Sequence, residues 1–574
     1  MSFIVERGKI GRKPITIVEL ELDFCDNDFS IAPCTATGEP CYNTFATCKD
    51  KPNYVKTTKI YRFCDVKDIP IGLEAFPVIN KADLAPAEIV PNGIGKRASI
   101  TLSFKDFPHH DRGIDPNVAL RSYDVTQGTF FGKLKARNPH LYGRKLTVYT
   151  GYIGETFDTS LLVDFEKHTY FIESISDVTA RGDVRIVAKD VLKFADDDKS
   201  AVPLLTEAPL SSDISSIVDA LAVCDGCGAS LPSSGVIRIN DEIMSYSGNS
   251  SDILTGLVRG LYNTDASNHS QDDAIQECKV WSDARVIDII KELLLTFANI
   301  DASYINFVDW EVDYSTARSF YKFDAVITES TGVKEILAEV LESSASYLWW
   351  DGTAELIRWK PLFNINPAAS TVLINDDNIL DGSLRIIERD KDRISDAIVF
   401  FEQFTPINEV KTSNFQRVIA TIDVDSSSVN EYNSKSTQNI KSRWISAGNI
   451  ALSLSSRLIA QYSQTPKRLT FILDAKDASI STGDIITINS RLLQDATGAI
   501  AGGLYLITKR EEKDLGSTYI YTALQFNLDS RFGHITSALQ ADYLASSDAD
   551  KVQYAFITDS EGLMSNGDEG YVLV

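Results

Sequence analysis

Between Lys9 and Phe24 apolar and polar side chains alternate (Ile15, Ile17, Leu20 and Leu22 on the apolar face), a period that buries one face only as a β-strand. The same alternation returns at Ala98 to Phe104, Lys145 to Thr150, Tyr170 to Ile175 and Arg185 to Ala188, with Gly, Pro, Asn and Asp turns between. The first part of the chain must therefore be built mainly of strands. Asp196, Asp197, Asp198 and Lys199, followed by Pro203 and Pro209, predict an exposed linker and a boundary near residue 205.

Gly235 to Ile239 and Glu242 to Ser247 read as short strands around Asn240-Asp241, and Ile253 to Val258 follows a turn at Gly248 and Asn249. The period then changes. Val286 to Phe297 and Val333 to Leu341 each place their apolar residues on one helical stripe, and Tyr347 to Trp350 with Ala354 to Lys360 reads as a hairpin around Asp351-Gly352. Strands return at Ile394 to Phe401, Val418 to Val424, Arg468 to Leu473, Asp484 to Ile488, Leu504 to Lys509 and Tyr519 to Leu528, with a helix around Ala447 to Gln461. The pattern predicts a β-rich α+β multidomain chain. Its parts are a first β domain (1–205), a small antiparallel β insertion (206–282), a mixed α/β part (283–380), a second β domain with a helical insertion (381–545) and a C-terminal tail (546–574).

A chain of 574 residues with 44% hydrophobic and 24% charged residues has enough apolar material for several cores, which excludes disorder as its main state. Its 80 acidic against 56 basic residues give a net charge of −24, which repels phosphate backbones and argues against a DNA-coating role. No apolar run approaches the ~18 residues of a membrane span. The start, Met1-Ser2-Phe3-Ile4-Val5-Glu6-Arg7, lacks the basic opening and apolar core of a secretory signal, which predicts synthesis in a reducing cytoplasm.

Against that background the cysteines stand out. Five of eight, Cys25, Cys34, Cys41, Cys48 and Cys64, fall between residues 25 and 64. In a reducing compartment such a cluster is a metal or iron-sulfur site, or a set of buried thiols. The spacing C-x8-C-x6-C-x6-C lacks the C-x2-C pairs that grip zinc, while four thiolates on a turn-rich loop (Pro33, Gly38, Pro40, Asn43, Asp50, Pro52, Asn53) suit a [4Fe-4S] cube, with zinc as the alternative. Cys224-Asp225-Gly226-Cys227 is a lone C-x-x-C without a second pair or a thioredoxin-like setting, and reads as a surface turn. Cys278 reads as a packed thiol.

Other candidates for chemistry are weaker. His109 and His110, beside Asp111 and Asp115, are adjacent, and on a strand they would face opposite ways, so they read as a turn with polar caps. Trp349, Trp350 and Trp359 read as core rather than as a sugar platform. The sequence has no G-x-S-x-G, H-E-x-x-H, P-loop or dinucleotide fingerprint, and no enzyme is expected.

The run from Cys25 through Cys34-Thr35-Ala36 to Cys41-Tyr42-Asn43-Thr44-Phe45-Ala46-Thr47-Cys48-Lys49-Asp50 resembles the cysteine segment of tail-tip (baseplate) hub proteins of long-tailed bacteriophages and gene transfer agents. Lys105 to Asp115 and Gln127 to Pro139 resemble that family's next two signatures. Ile237 to Met244 with Leu254 to Gly260 resembles its β-rich insertion, and Tyr554 to Ile557 with Gly562-Leu563-Met564 its tail. The resemblance runs in order along nearly the whole chain.

This resemblance implies a contractile-tail-hub-like fold with two β-barrel domains per chain, so that a homotrimer forms a pseudo-sixfold ring matching the tail tube. It implies a structural virion protein at the phage tail tip, assembled in the host bacterial cytoplasm, that closes the tube and opens for genome passage. The implied partners are the distal tail protein, tip, receptor-binding or fibre proteins, the tape measure protein, and DNA in transit without specific binding. The [4Fe-4S] ligands carried over are Cys25, Cys34, Cys41 and Cys48, with Cys64 an extra thiol or replacement ligand. Competing classes are an iron-sulfur redox enzyme and a tip-associated protein that binds or degrades envelope polysaccharide.

Overall fold

The computed structural model describes residues 7–9, 11–67, 69, 71–90, 94–153, 162–163, 165–196, 199–206, 208–317, 321–362, 372–423, 434–514, 516–525, 532–535, 543–547, 554–555 and 572–573. The tail signature beyond Ala555 lies outside them.

The alternating segments of the first part pair into one antiparallel sheet. Its strands are β1 (Pro14–Cys25), β2 (Lys56–Cys64), β3 (Ile79–Ala85), β4 (Ser99–Lys105), β5 (Lys145–Tyr152), β6 (Glu166–Ile175) and β7 (Asp183–Lys189), in the order β2-β1-β5-β6-β7-β4-β3. Period two sends Val18, Leu20 and Leu22 of β1, Ile100, Leu102 and Phe104 of β4 and Leu146 and Val148 of β5 to one interior. The helix Phe130–Arg137 plugs that interior with Phe130, Phe131 and Leu134. Ile15 and Ile17, at the start of β1, form a smaller cluster with Cys64 and Leu73. Phe76 bridges Phe63 on β2 just before the chain enters β3, so the sheet curls without a continuous closing ladder. It is a half-barrel, the first of the two barrel-type domains expected.

A second sheet, ordered Leu373–Ile374, Ile485–Ile488, Gly503–Asp514, Thr518–Gln525, Lys467–Asp474 and Arg385–Glu388, encloses Phe471, Tyr505, Tyr519 and Tyr521 as another half-barrel. Beside it Asp396–Gln403 pairs with Phe415–Ile422 and Thr437–Lys441 under the helix Gly448–Tyr462. Between the half-barrels, the helices Val286–Glu292, Phe307–Ala317 and Val333–Ser343 and the hairpin Ser346–Asp351/Leu356–Pro361 share the largest core. Trp349, Trp350 and Trp359 are buried there, as the core reading required. The insertion hairpin forms as expected, Gly235–Ile239 against Glu242–Tyr246, with Asn240 at φ 51° in the turn.

Three expectations change. The stretch read as an exposed linker is packed in part: Asp196 pairs with Arg97, and Ala201–Val202 pairs with Thr331–Gly332 with Val202 fully buried, although Leu204 and Leu205 are exposed. The helices Phe130–Arg137 and Phe307–Ala317 were not foreseen. The first is short and contains Gly132, where a Cβ would stand only 2.9 Å from the Thr129 hydroxyl. Finally, the segment at His109 and His110 is not a strand, and the two rings lie side by side with centroids 5.0 Å apart. Their Nδ1 atoms accept the Asp111 and Arg112 amides, so the polar-turn reading holds while the opposite-faces argument does not.

Candidate functional site: a cysteine loop in a polar clamp

Cys25 ends β1 and Lys56, its partner in register, begins β2, so residues 26–55 form one long connection between adjacent strands. The connection contains two single 3-10 turns, Phe45–Thr47 and Lys51–Asn53, and buries little apolar surface of its own. Ile31, Phe45 and Val55 are all exposed. Polar groups order it instead. The Cys25 amide donates to the Asn43 carbonyl (2.7 Å). The side chain of Asn43, a buried residue at φ 55°, donates to the carbonyls of Cys25 (3.3 Å) and Asn27 (3.2 Å) and accepts from Asn117 (3.1 Å). At the outer end the Asp50 carboxylate accepts the Thr35 amide (2.7 Å) and hydroxyl (2.9 Å) and the Asn53 amide group, which together hold its pKa below the usual range.

Residues of Lys105 to Asp115 and Gln127 to Pro139, and of the stretch between them, supply the rest of the clamp. Arg121 is buried against Asp115 (2.7 Å) and donates to the carbonyls of Cys41 (2.8 Å) and Pro40. The Tyr42 ring lies between the guanidinium groups of Arg121 (3.9 Å) and Arg137 (4.1 Å), and Arg137 is fixed by Asp111 (2.6 Å). The Thr44 hydroxyl donates to the Arg137 carbonyl (2.8 Å), closing the loop onto the helix that plugs the half-barrel. Sequence reading missed Asn117 and Arg121 and the clamping roles of Asn43 and Tyr42, because the groups that meet here are far apart in the chain.

Within the clamp, Cys25 and Cys41 are buried and Cys34 and Cys48 half-buried, all as free thiols. Burial pushes the Cys41 thiol up, the Asn43 amide opposes this, and the neighbouring sulfurs of Cys48, Cys34 and Cys25 push it further, so the four residues share one locality. The Cys48 sulfur accepts the Asp50 amide (3.4 Å). Cys64 belongs elsewhere. It pairs with Ile17, at the far end of the ladder from Cys25, about 27 Å along the strand, and lies fully buried against Ile15 and Leu73. It therefore does not replace any of the four as a ligand.

The donor set can be tested against the two groups it was expected to hold. Four thiolates on one zinc at ~2.3 Å crowd to within about 4 Å of one another. Among the described residues no three of these sulfurs come within 4.8 Å. Four thiols in one locality that are not drawn to a single point are compatible with a [4Fe-4S] cube, in which each thiolate takes its own iron. Cys224 and Cys227 form a surface turn, as read, with Gly226 in the left-handed region and Asp252 accepting the Gly226 (3.0 Å) and Gly228 (2.7 Å) amides; their sulfurs are joined in a disulfide, which the sequence reading did not include. Cys278 is buried, as read.

No protein-family model matches the chain. No curated protein matches it. Among solved structures it is similar to the 43 kDa tail protein of prophage MuSo2 from Shewanella oneidensis (9% identity, TM-score 0.35, covering 78% of this chain and 97% of that one). It is similar at the same identity and TM-score to a tail protein from Neisseria meningitidis MC58 (76% and 96% covered). It is also similar to prophage tail protein gp18 from Listeria monocytogenes EGD-e (9% identity, TM-score 0.34, 82% and 92% covered). The functional reading rests on the chain's own residues.

Proposed function

We propose that this chain is a structural hub of a phage-type tail tip, trimeric in the assembled particle, whose cysteine loop is stapled by a [4Fe-4S] cluster on Cys25, Cys34, Cys41 and Cys48. The observation that carries the hub reading is the presence of two half-barrel sheets in one chain, on either side of a shared mixed core. Three copies then offer six similar sheets, the number a sixfold tube requires. The order of the resembling segments along the chain supports the same reading. In this role the hub joins the distal tail protein to tip or fibre proteins, closes the tube and lets the tape measure protein and DNA pass, and a net charge of −24 disfavours DNA sticking to it. Among the described residues no helix is long and apolar enough to cross a membrane.

The cluster's contribution here is structural: bound, it supplies four metal-thiolate bonds. The chain's own residues do the rest. Asn43, Asn117 and Arg121 hold the backbone around Cys25 and Cys41, and Tyr42 locks that backbone against Arg121 and Arg137. Light scattering tests the hub, on the chain alone and mixed with its distal tail protein. A mass of three times 63.4 kDa, alone or in the mixture, is the expected result. A monomer under both conditions that turns over a redox substrate would replace the hub by the enzyme class.

A further inference from the structure

A second cluster of ligating side chains lies where the two half-barrels meet. There β6 contributes Glu166 and His168, and the strand Gly503–Asp514 contributes Arg510 and Glu512. Glu166 is fully provided for. Arg510 spans both its oxygens (3.0 Å to Oε2), His168 Nε2 lies 3.1 Å from Oε1, and the Tyr519 hydroxyl donates to Oε2 (3.3 Å). Glu512 is in the opposite situation: both carboxylate oxygens are buried and neither has a hydrogen bond of good geometry among the described residues, the nearby Tyr519 hydroxyl being turned to Glu166. Arg510 is already committed to Glu166, so the cation left to face this second carboxylate among the described residues is a protonated His168, itself shared with Glu166. A buried charge in that position costs several kcal/mol unless something positive joins it.

Three features indicate what joins it. One donor atom each from Glu166, His168 and Glu512 lies within 4.8 Å of the others, close enough for a single ion to reach all three. Gly352, in the turn of the central hairpin, leaves the His168 ring open: a Cβ there would stand 3.3 Å from Nδ1, a nitrogen without a hydrogen-bond partner among the described residues. A cleft of about 100 Å³ lined by His168, Gly352, Thr353, Arg510 and Glu512 adjoins the cluster, with room for water to complete a coordination shell.

We propose that Glu166, His168 and Glu512 form a zinc-class divalent metal site that ties the first half-barrel to the second. One imidazole with two carboxylates favours zinc or its neighbours over calcium or magnesium, which prefer all-oxygen shells. The site is distinct from the cysteine loop in donors and position, and the hub reading neither requires nor excludes it. Its competing occupant is a proton, because burial and then the neighbouring Glu166 push the Glu512 carboxyl up to about 7 in the absence of an ion.

The test uses the full chain, stripped with chelator and titrated with Zn²⁺ and separately with Co²⁺, as wild type, Glu512→Gln and His168→Ala. Glu512→Gln keeps the shape and removes the unpaired charge, so it folds whichever occupant is right. The expected result is one Co²⁺ with nitrogen/oxygen d–d bands, separate from any thiolate charge transfer of the cysteine loop, and a melting temperature raised by Zn²⁺. Both signals should weaken at least about tenfold in affinity in either variant. Binding that survives Glu512→Gln overturns the proposal. So does a wild type without the nitrogen/oxygen signature whose metal-free melting temperature falls as pH rises through about 7 while that of Glu512→Gln does not, an outcome that assigns the site to a proton.

Discussion

The cysteine loop and the small β insertion each depend on an arginine buried against a carboxylate. In the insertion, Arg259 grips both oxygens of Glu242 (2.6 and 2.7 Å), and Glu242 also accepts the Ser267 amide (2.9 Å) and lies 2.9 Å from His269 Nε2. That network rests on an apolar cluster of Ile237, Ile239, Met244 and Leu254. In the cysteine loop, Arg121 and Asp115 form a similar pair, but residues 26–55 add only Ala36, Pro40 and Cys41 to the buried apolar side chains and leave Phe45 and Ile31 in solvent. A module with a core uses its ion pair to fix a turn. A loop without one needs the pair, the Tyr42 sandwich and a cross-link through sulfur to be ordered at all.

The largest expected effect is on the loop's ion pair. Arg121→Ala leaves Asp115 buried and unpaired and frees the Cys41 and Pro40 carbonyls, which should cost about 3–5 kcal/mol. Urea unfolding and protease cleavage within residues 26–55 measure it, and a variant with wild-type stability and an uncut loop would show that the clamp does not order the cysteines. The insertion gives the matching pH experiment. Burial acts to raise the pKa of Glu242, but Arg259, the Ser267 amide and His269 outweigh it and bring the group from an ordinary 4.5 down to about 2. A lowered carboxyl stabilises fully above 4.5 and loses that contribution as pH falls toward 2, roughly 3 kcal/mol in all. Melting between pH 5 and 2 should therefore fall more steeply in wild type than in Glu242→Gln, and parallel slopes would contradict the assignment.

Smaller effects sharpen the contrast. Tyr42→Ala removes the ring between two guanidinium groups and should cost about 1–3 kcal/mol, whereas Tyr42→Phe keeps the ring face and most of the stability. Equal losses would assign the effect to the hydroxyl beside Tyr123 instead. Cys64→Ala should cost only about 1 kcal/mol of core packing and leave metal content unchanged, since Cys64 is at the other end of the β1–β2 ladder. Metal lost in that variant would reopen its role as a ligand.

What could be read from the sequence follows the same division. Strands β1, β4, β5, β6 and β7 were legible because one face of each is apolar at period two, and so were Val333–Ser343 and Gly448–Tyr462 with their helical stripes. β3 (Ile79-Asn80-Lys81-Ala82-Asp83-Leu84-Ala85) was not, being a largely polar edge strand held by pairing to β4. The helix read through Phe297 passes at Leu293–Phe297 into a wider π turn that apolar spacing does not distinguish. The four cysteines were legible as a set, since their clustering is a property of the sequence alone. The clamp was not, since Asn43, Asp115, Arg121 and Arg137 meet only once β1, β2 and the plugging helix are in place. Nor was the exclusion of Cys64, which depends on strand register.

The measurement that bears most directly on the central claim is iron and acid-labile sulfide per chain, with the visible absorption spectrum, on protein purified without oxygen as wild type, Cys34→Ser and Cys64→Ala. The account predicts about four irons and four sulfides in wild type and in Cys64→Ala, and their loss in Cys34→Ser together with a lower melting temperature. Zinc in place of iron, or no metal with Cys34→Ser melting as wild type does, would contradict it.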